Sequence, residues 1–188
     1  MKQGIFACLV LIIAYSDKFV LAQTIPKEEL IFLTSEWKGE RFPDGRPKIP
    51  DDLIKRARNI TVEDAWTVLR NDGYISQFDG NWKMAHPDVT IAGRAVTAMF
   101  MPSRPDVEKN IKDRGAKQGR IGNTNAWPID ILTKGDVYVA DGFGKVKDGT
   151  LIGSSLGNAI YGKTGKGVIF YGSIRDMQEL RDTKGFNA

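Results

Sequence analysis

The sequence feature that most constrains the fold is a stretch near the end of the chain, GSSLGNAIYGKTGKGVIFYGSIRD. It predicts a short helix, a glycine-rich turn, a buried strand and then a charged pair. The helix is indicated by apolar residues that recur at helical spacing, which are Leu156, Ala159 and Ile160. Ser154 or Ser155 is expected to cap its first turn. Gly162 and Gly165 are expected to end it.

Three stretches of the chain are predicted to be strands. Residues 168–171, VIFY, form a continuous apolar run of strand length between Gly167 and Gly172. Residues 136–141, DVYVAD, form an earlier run that ends at glycine, and residues 93–101 contain small and β-branched residues that suit a sheet interior. A strand, a glycine loop, a helix and a second strand make a βαβ unit, and such units build parallel sheets. The sequence therefore predicts an α/β fold.

A charged pair, Arg175 and Asp176, follows the last predicted strand. A helix start nearby would offer free backbone N–H groups and the positive end of the helix dipole, which suit a small anion. A guanidinium binds a carboxylate through two parallel hydrogen bonds, and an aspartate is an oxygen ligand of the kind that Mg²⁺ or Mn²⁺ prefers. These residue types indicate a site for a carboxylate bridged to a divalent metal. The alternative is a surface pair whose aspartate only opens the next helix.

The same stretch also matches a nucleotide-binding pattern. Residues 157–164, GNAIYGKT, fit the P-loop pattern letter for letter. That pattern cradles phosphate only when a strand precedes it and a helix follows it. Here Gly165 and Gly167 follow at once and leave no room for a helix, so a P-loop nucleotide binder is the less favoured alternative.

Residues 1–22 are predicted to be a signal peptide. They combine a charged start, an apolar core over residues 5–14 and a small residue before Gln23. The apolar run is too short to span a bilayer, and a retained anchor is the less favoured alternative. We therefore expect a secreted or periplasmic protein with no stable membrane span after cleavage. Cleavage would remove Cys8, the only cysteine, and with it any disulfide, cysteine metal site or thiol nucleophile.

The remaining composition is that of a globular domain. The chain has 188 residues, of which 41% are hydrophobic and 27% charged, and this is enough for one domain with its own core. The net charge of +4 is too small to indicate a nucleic-acid partner. Residues 23–60 are predicted to be an irregular N-terminal extension with short helices from Pro26 and Asp51, followed by a helix capped by Thr61. Residues 103–128 are polar and basic, and the basic run over residues 109–120 is predicted to be a solvated loop or a subunit contact.

Five short motifs occur in the order found in one known family. They are Glu63-Asp64-Ala65, Gly93-Arg94-Ala95-Val96-Thr97, Gly135-Asp136-Val137-Tyr138-Val139-Ala140-Asp141-Gly142, Gly153-Ser154-Ser155-Leu156 and Gly167-Val168-Ile169-Phe170-Tyr171-Gly172-Ser173-Ile174-Arg175-Asp176. In these motifs the chain resembles the RraA-like family, which includes 4-hydroxy-4-methyl-2-oxoglutarate aldolases and the regulator of ribonuclease E activity. The resemblance covers residues 60–186, and the last motif is its most specific part. It implies a domain over residues 61–188 with a layered α/β/α fold of the swivelling β/β/α type.

The resemblance also implies an activity. Family aldolases are metal-dependent lyases that release pyruvate from small oxo-acids, decarboxylate oxaloacetate, and usually form homotrimers with sites between subunits. By resemblance, Arg175 and Asp176 are catalytic, Asp176 holds Mg²⁺ or Mn²⁺, and substrate binding is assigned to Gly153, Ser154, Ser155, Leu156 and Arg175. Thus the resemblance predicts a divalent-metal-dependent aldolase or decarboxylase.

The chain departs from the family pattern in two places. Catalytic members carry an acid, thought to position a water for proton transfer, where this chain has Ser154. A serine binds water but holds no negative charge, so decarboxylation is implied more firmly than aldol cleavage. The family domain also normally continues with further strands, so part of it is expected to be missing beyond Ala188. The alternative function is that of a non-catalytic binding or regulatory protein. The regulatory branch of the family need not keep a metal ligand at the position of Asp176. The predicted export argues against a cytoplasmic ribonuclease as the partner.

Overall fold

A computed structural model of the chain describes residues 25–147 and 150–188. Within these ranges the chain forms helices and strands in the order α1 (Lys27–Leu33), α2 (Asp51–Ala57), α3 (Val62–Asn71), β1 (Arg94–Met99), α4 (Pro105–Lys117), α5 (Trp127–Asp130), β2 (Asp136–Asp141), α6 (Ser154–Thr164), β3 (Val168–Tyr171) and α7 (Met177–Asp182). The predicted signal peptide, residues 1–22, lies outside the described residues. Among the helices of the described part, none has the length and apolar character needed to cross a membrane.

The three strands form one parallel sheet in the order β1-β2-β3. Val96 of β1 lies beside Tyr138 of β2, which lies beside Val168 of β3. The predicted strands at 136–141 and 168–171 are confirmed at both ends, whereas the strand predicted over 93–101 is the shorter β1. The prediction of a mixed α/β fold with a parallel sheet is therefore confirmed.

The two faces of the sheet differ in burial. One face carries the core, in which Val96, Tyr138 and Val168 are each at most 1% exposed and pack with residues of α5, α6 and α7. On the other face Met99 is 77% exposed and Tyr171 is 55% exposed. Helices α5, α6 and α7 all contribute to that one core, so the predicted three-layer arrangement remains a prediction.

Tyr138 brings an unpaired hydroxyl into this core. The side chain is fully buried, and its Oη has no hydrogen-bond partner in the described part of the chain. Burial raises the pKa of the Tyr138 phenol because the charged form would lose its hydration. A buried polar atom without a partner lowers the stability of the folded state.

We expect Tyr138→Phe to raise the free energy of unfolding by about 1 kcal/mol, because it removes that unpaired hydroxyl. The advantage of Phe should grow above about pH 10, where the unfolded wild-type phenol ionises and the folded one, whose pKa is raised, does not. Urea unfolding at pH 7 and above pH 10 measures both effects. Tyr171→Phe, at an exposed position, is the control and should change little. A clear loss of stability on Tyr138→Phe would mean that the hydroxyl has a partner.

The segment before α3 is attached to the amino ends of two strands. Arg94, the first residue of β1, donates from Nε to the backbone oxygen of Ile49 at 2.9 Å and forms an ion pair with Asp51. Arg46 donates to Asp136, the fully buried first residue of β2, at 3.2 Å. The predicted helix starts at Pro26 and Asp51 agree with α1 and α2. The N-terminal segment is therefore packed on the domain through arginines that lie in the loop before α2 and in β1.

Asn187, near the carboxyl end of the chain, makes hydrogen bonds at the amino end of β3. The buried side chain of Asn187 donates from Nδ2 to His86 O at 2.9 Å and Val89 O at 2.7 Å, and its Oδ1 accepts from the His86 N–H at 2.9 Å. Its backbone oxygen accepts from the Val168 N–H at 3.0 Å. Asn187 therefore joins residues 86–89 to the first residue of β3, and we call this connection the Asn187 link.

The prediction of a loop over residues 109–120 is wrong for residues 109–117, which lie in α4. Pro105 stands in its first turn, where a proline fits a helix. Its charges alternate at helical spacing, so Lys109 pairs with Asp113 at 2.5 Å and Lys112 pairs with Glu108 at 2.6 Å. The basic composition hid this pattern of opposite charges four residues apart.

Candidate functional site

The candidate site is built where two segments of the chain meet beyond the ends of β2 and β3. Ile152 pairs with Ile174 in a parallel bridge, and the backbone N–H of Arg175 donates to Ile152 O at 3.0 Å. This pairing places Gly153, which follows Ile152, against Arg175 and Asp176. The two motifs that the sequence analysis assigned to one site therefore do lie together.

Gly153 is the point of closest approach. A Cβ atom at this position would lie 2.6 Å from Asp176 Oδ2 and 2.8 Å from Arg175 Nε. At these distances one of the two side chains would have to move. A side chain at position 153 would displace the Asp176 carboxylate or the Arg175 guanidinium, so glycine allows the start of α6 to approach the charged pair in this arrangement.

Asp176 caps α6 and not its own helix. The backbone N–H of Ser154 donates to Asp176 Oδ2 at 3.1 Å, while Asp176 makes no side-chain cap hydrogen bond to α7. Its backbone has a φ of 59°, a left-handed conformation that is uncommon outside glycine and that aspartate adopts more readily than most residues. The interpretation that Asp176 serves only to open the next helix does not account for this contact across two helices.

The start of α6 differs from the prediction in its cap. The capping residue is Gly153, without a side-chain cap, and Ser154 is the first helical residue, so the predicted capping by Ser154 or Ser155 is wrong. The Gly157 N–H is bonded to Gly153 O at 2.8 Å. Because the Ser154 N–H is taken by Asp176, the first turn leaves the backbone N–H groups of Ser155 and Leu156 without a hydrogen bond among the described residues. Two adjacent donors at the positive end of a helix suit a carboxylate.

The side chains at the site are accessible to solvent. The Arg175 side chain is 72% exposed and its Nε lies 3.6 Å from Asp176 Oδ2, while the Asp176 side chain is 38% exposed. Ser155 is also exposed, whereas Leu156 packs partly against the core, so Leu156 contributes to the site by its backbone. The arrangement therefore presents a guanidinium, a carboxylate and two backbone donors around one glycine.

Asp176 fits a divalent cation that is held by one protein carboxylate. No group of three or more His, Cys, Asp or Glu side chains at metal-binding distance occurs in residues 25–147 and 150–188. Mg²⁺ usually keeps several waters and binds through one or two carboxylates together with its substrate. A half-exposed carboxylate next to free anion donors meets that requirement.

Polar contacts behind the site were missed by the sequence analysis. The Asn125 Nδ2 donates to Leu151 O at 3.3 Å, and the hydroxyls of Thr150 and Ser173 lie 2.9 Å apart. Ser173 Oγ also donates to Val146 O at 2.9 Å. These pairs are separated by more than 20 residues and carry no local pattern, so no sequence signal could have indicated them.

The P-loop match does not form a phosphate-binding loop. Residues 157–164 all lie within α6, which continues through Gly162 and ends at Gly165, whose φ is 64°. Gly162 was therefore wrongly predicted to end the helix. Lys163 Nζ donates to Asp130 O at 2.8 Å, and the buried Thr164 hydroxyl donates to Ile160 O. The residues of the pattern are thus helical, and both its Lys and its Thr are bonded within the fold.

The chain is an α/β protein with a parallel sheet, in which the start of α6 lies against Arg175 and Asp176. The sequence profile of the RraA-like family, Aldolase/RraA, matches residues 60–186, and the chain belongs to this family. No curated protein matches the chain.

The chain is similar to a solved structure. It is that of Streptomyces coelicolor RraAS2, described as an unusual member of the RNase ES inhibitor RraA protein family, with 22% sequence identity and a TM-score of 0.53. The match covers 73% of this chain and 61% of that protein, so this chain spans less than two thirds of its length. At this identity the similarity shows the fold alone.

Proposed function

We propose that the chain is a divalent-metal-dependent lyase of the 4-hydroxy-4-methyl-2-oxoglutarate aldolase and oxaloacetate decarboxylase type. It would cleave or decarboxylate a small oxo-acid to pyruvate. The observation that carries the proposal is the convergence of Arg175, Asp176 and the start of α6 on Gly153. The RraA-like family contains such lyases and also non-catalytic members, so membership alone does not distinguish the two.

Substrate binding is assigned to Arg175 and the first turn of α6. The guanidinium would bind one carboxylate of the oxo-acid in a bidentate contact, and the free N–H groups of Ser155 and Leu156 would donate to the oxygens of the same carboxylate. The hydrogen bond from the Ser154 N–H to Asp176 Oδ2 holds the Asp176 carboxylate at a fixed distance from the start of α6. Binding through several rigid groups orients the scissile bond before reaction.

Asp176 would hold Mg²⁺ or Mn²⁺, and this ion, when bound, supplies charge stabilisation for the enolate oxygen that forms as the bond breaks. The Ser154 hydroxyl can bind a water but cannot act as a charged base. Decarboxylation needs only carboxylate binding and enolate stabilisation, whereas aldol cleavage also needs a controlled proton transfer. We therefore propose that the protein decarboxylates its substrate faster than it cleaves an aldol.

A second candidate function is a non-catalytic binding or regulatory role. The observation that favours it is Ser154 at the position where the catalytic relatives carry an acid.

In either role we propose a homotrimer and export after signal-peptide cleavage. Light scattering coupled to gel filtration and N-terminal sequencing of protein from the cell envelope test these two points; a monomer, or an intact Met1 on cytoplasmic protein, would refute them.

The lyase proposal is tested by pyruvate release from oxaloacetate. The whole chain should release pyruvate faster than the metal alone in the presence of Mg²⁺ or Mn²⁺, followed with a coupled lactate dehydrogenase assay. Chelation of the metal should return the rate to the metal-free background. The same preparation should act more slowly on 4-hydroxy-4-methyl-2-oxoglutarate. A folded sample with no rate above background would favour the binding role.

A further inference from the structure

The loop between α4 and α5 holds an arginine beneath the protein surface. Arg120 is only 8% exposed, although its side chain is charged. Its backbone N–H donates to Gly115 O at 2.9 Å, and its Nε donates to Gln118 Oε1 at 3.2 Å. Its guanidinium carbon lies 5.2 Å from the centre of the Trp127 ring. The guanidinium is therefore held by a hydrogen bond along one edge and by an aromatic ring on one face.

The aromatic platform is built into the fold. Trp127 is 3% exposed, and its indole N–H donates to Ile121 O at 3.0 Å. A Cβ atom at Gly115 would lie 2.2 Å from the Trp127 ring, so the ring packs directly on the backbone of α4. Glycine at position 115 and the indole hydrogen bond together determine where the ring and the guanidinium lie.

The outer edge of the Arg120 guanidinium has no acceptor. Both Nη1 and Nη2 are buried without a hydrogen-bond partner among the described residues. Burial lowers the pKa of Arg120, the charge of Asp130 opposes that shift and the charge of Arg114 adds to it, yet a guanidinium stays charged throughout the physiological range. A buried charge whose donors are unpaired destabilises a fold, and two parallel N–H groups match the two oxygens of an oxyanion.

We propose that Arg120 and Trp127 form a binding site for a small oxyanion, a carboxylate or a phosphate, separate from the residues around Gly153. The oxyanion accepts from Nη1 and Nη2 while Trp127 supports the guanidinium from behind. The site lies close to solvent, because the neighbouring Ile121 is 81% exposed and Gly119 and Gly122 are exposed as well. Because both Nη atoms are closed off from solvent, the ligand would enter by a movement of the loop between α4 and α5, where Gly119 and Gly122 lie.

Thermal unfolding in the presence of anions tests the site. Phosphate and acetate are titrated separately against chloride at constant ionic strength, and the wild type should show a saturable rise in melting temperature with one of them. The responding anion identifies the ligand as a phosphate or a carboxylate. Arg120→Met should weaken that response on the order of tenfold to a hundredfold in apparent Kd, as expected for the loss of a charge-assisted contact. Without the anion, Arg120→Met should be at least as stable as the wild type.

Control variants separate this site from general charge effects. Arg114→Met removes a nearby exposed charge and should keep the wild-type response. Asp130→Asn should also keep it; loss of the response in Asp130→Asn, or an absent response to both anions in the wild type, would overturn the proposal. If Arg120→Met fails to fold, Arg120→Lys is used, which keeps the charge without the planar fork and should bind more weakly. An equal response in that variant would also overturn the proposal.

Discussion

Asp176→Asn should abolish metal-dependent release of pyruvate from oxaloacetate while leaving the protein folded. The asparagine oxygen can still accept from the Ser154 N–H, and asparagine tolerates the left-handed backbone of this position. Only the negative charge that would hold the cation is lost. Pyruvate release is measured over a range of Mg²⁺ and Mn²⁺ concentrations, and circular dichroism confirms the fold. A rate that still rises with metal as in the wild type would exclude Asp176 as the ligand.

Arg175→Ala should weaken substrate binding. A hydrogen bond to a charged group contributes about 1.5–3 kcal/mol, so the loss predicts a rise in KM of roughly ten- to a hundredfold for each bond lost. The side chain is mostly exposed, so stability should change little. The chain supplies its own matched control, because a second Arg-Asp pair, Arg181 and Asp182, lies on the exposed end of α7. Alanine at either of these residues should leave kcat and KM unchanged; equal effects at both pairs would refute a specific role for Arg175.

Gly167→Ala should destabilise the fold by about 3 kcal/mol or more. The added Cβ would lie 1.6 Å from Asn187 O, which is a backbone atom that accepts the Val168 N–H and cannot move without breaking the Asn187 link. Gly162→Ala is the opposite control. It lies inside α6 with nothing within 4 Å of the new Cβ, and should raise stability by roughly 0.5–1 kcal/mol. Urea unfolding measures both changes, and a Gly167→Ala protein as stable as the wild type would contradict the packing described.

Local patterns predicted the elements whose residues are neighbours in the chain. The strands β2 and β3 are short apolar runs between glycines, and Thr61 accepts from the Asp64 N–H as a helix cap should. The helix α6 was also predicted from its spacing, except for its cap and for Gly162. In these cases the interactions that determine the structure join residues only a few positions apart, so local sequence patterns are enough to predict them.

The contacts that shape the candidate site could not be predicted from local patterns. The bridge between Ile152 and Ile174 depends on how the chain returns across the sheet, and only this return puts Gly153 against Asp176. Asp176 looked like the cap of the helix that follows it, whereas its carboxylate caps a helix that begins 22 residues earlier. The family motifs predicted that these residues share a site, and the structure shows that Gly153 lies directly against Asp176 and Arg175.

The Asn187 link has a consequence for the order in which the chain folds. It joins residues 101 positions apart in sequence, so its hydrogen bonds form only after a long loop has closed, at a large cost in chain entropy. Contacts of such separation slow folding, whereas α6 forms from near neighbours. We therefore expect residues 86–89 to gain protection from hydrogen exchange after the βαβ unit does, and pulse labelling during refolding would refute this order if the two regions were protected together.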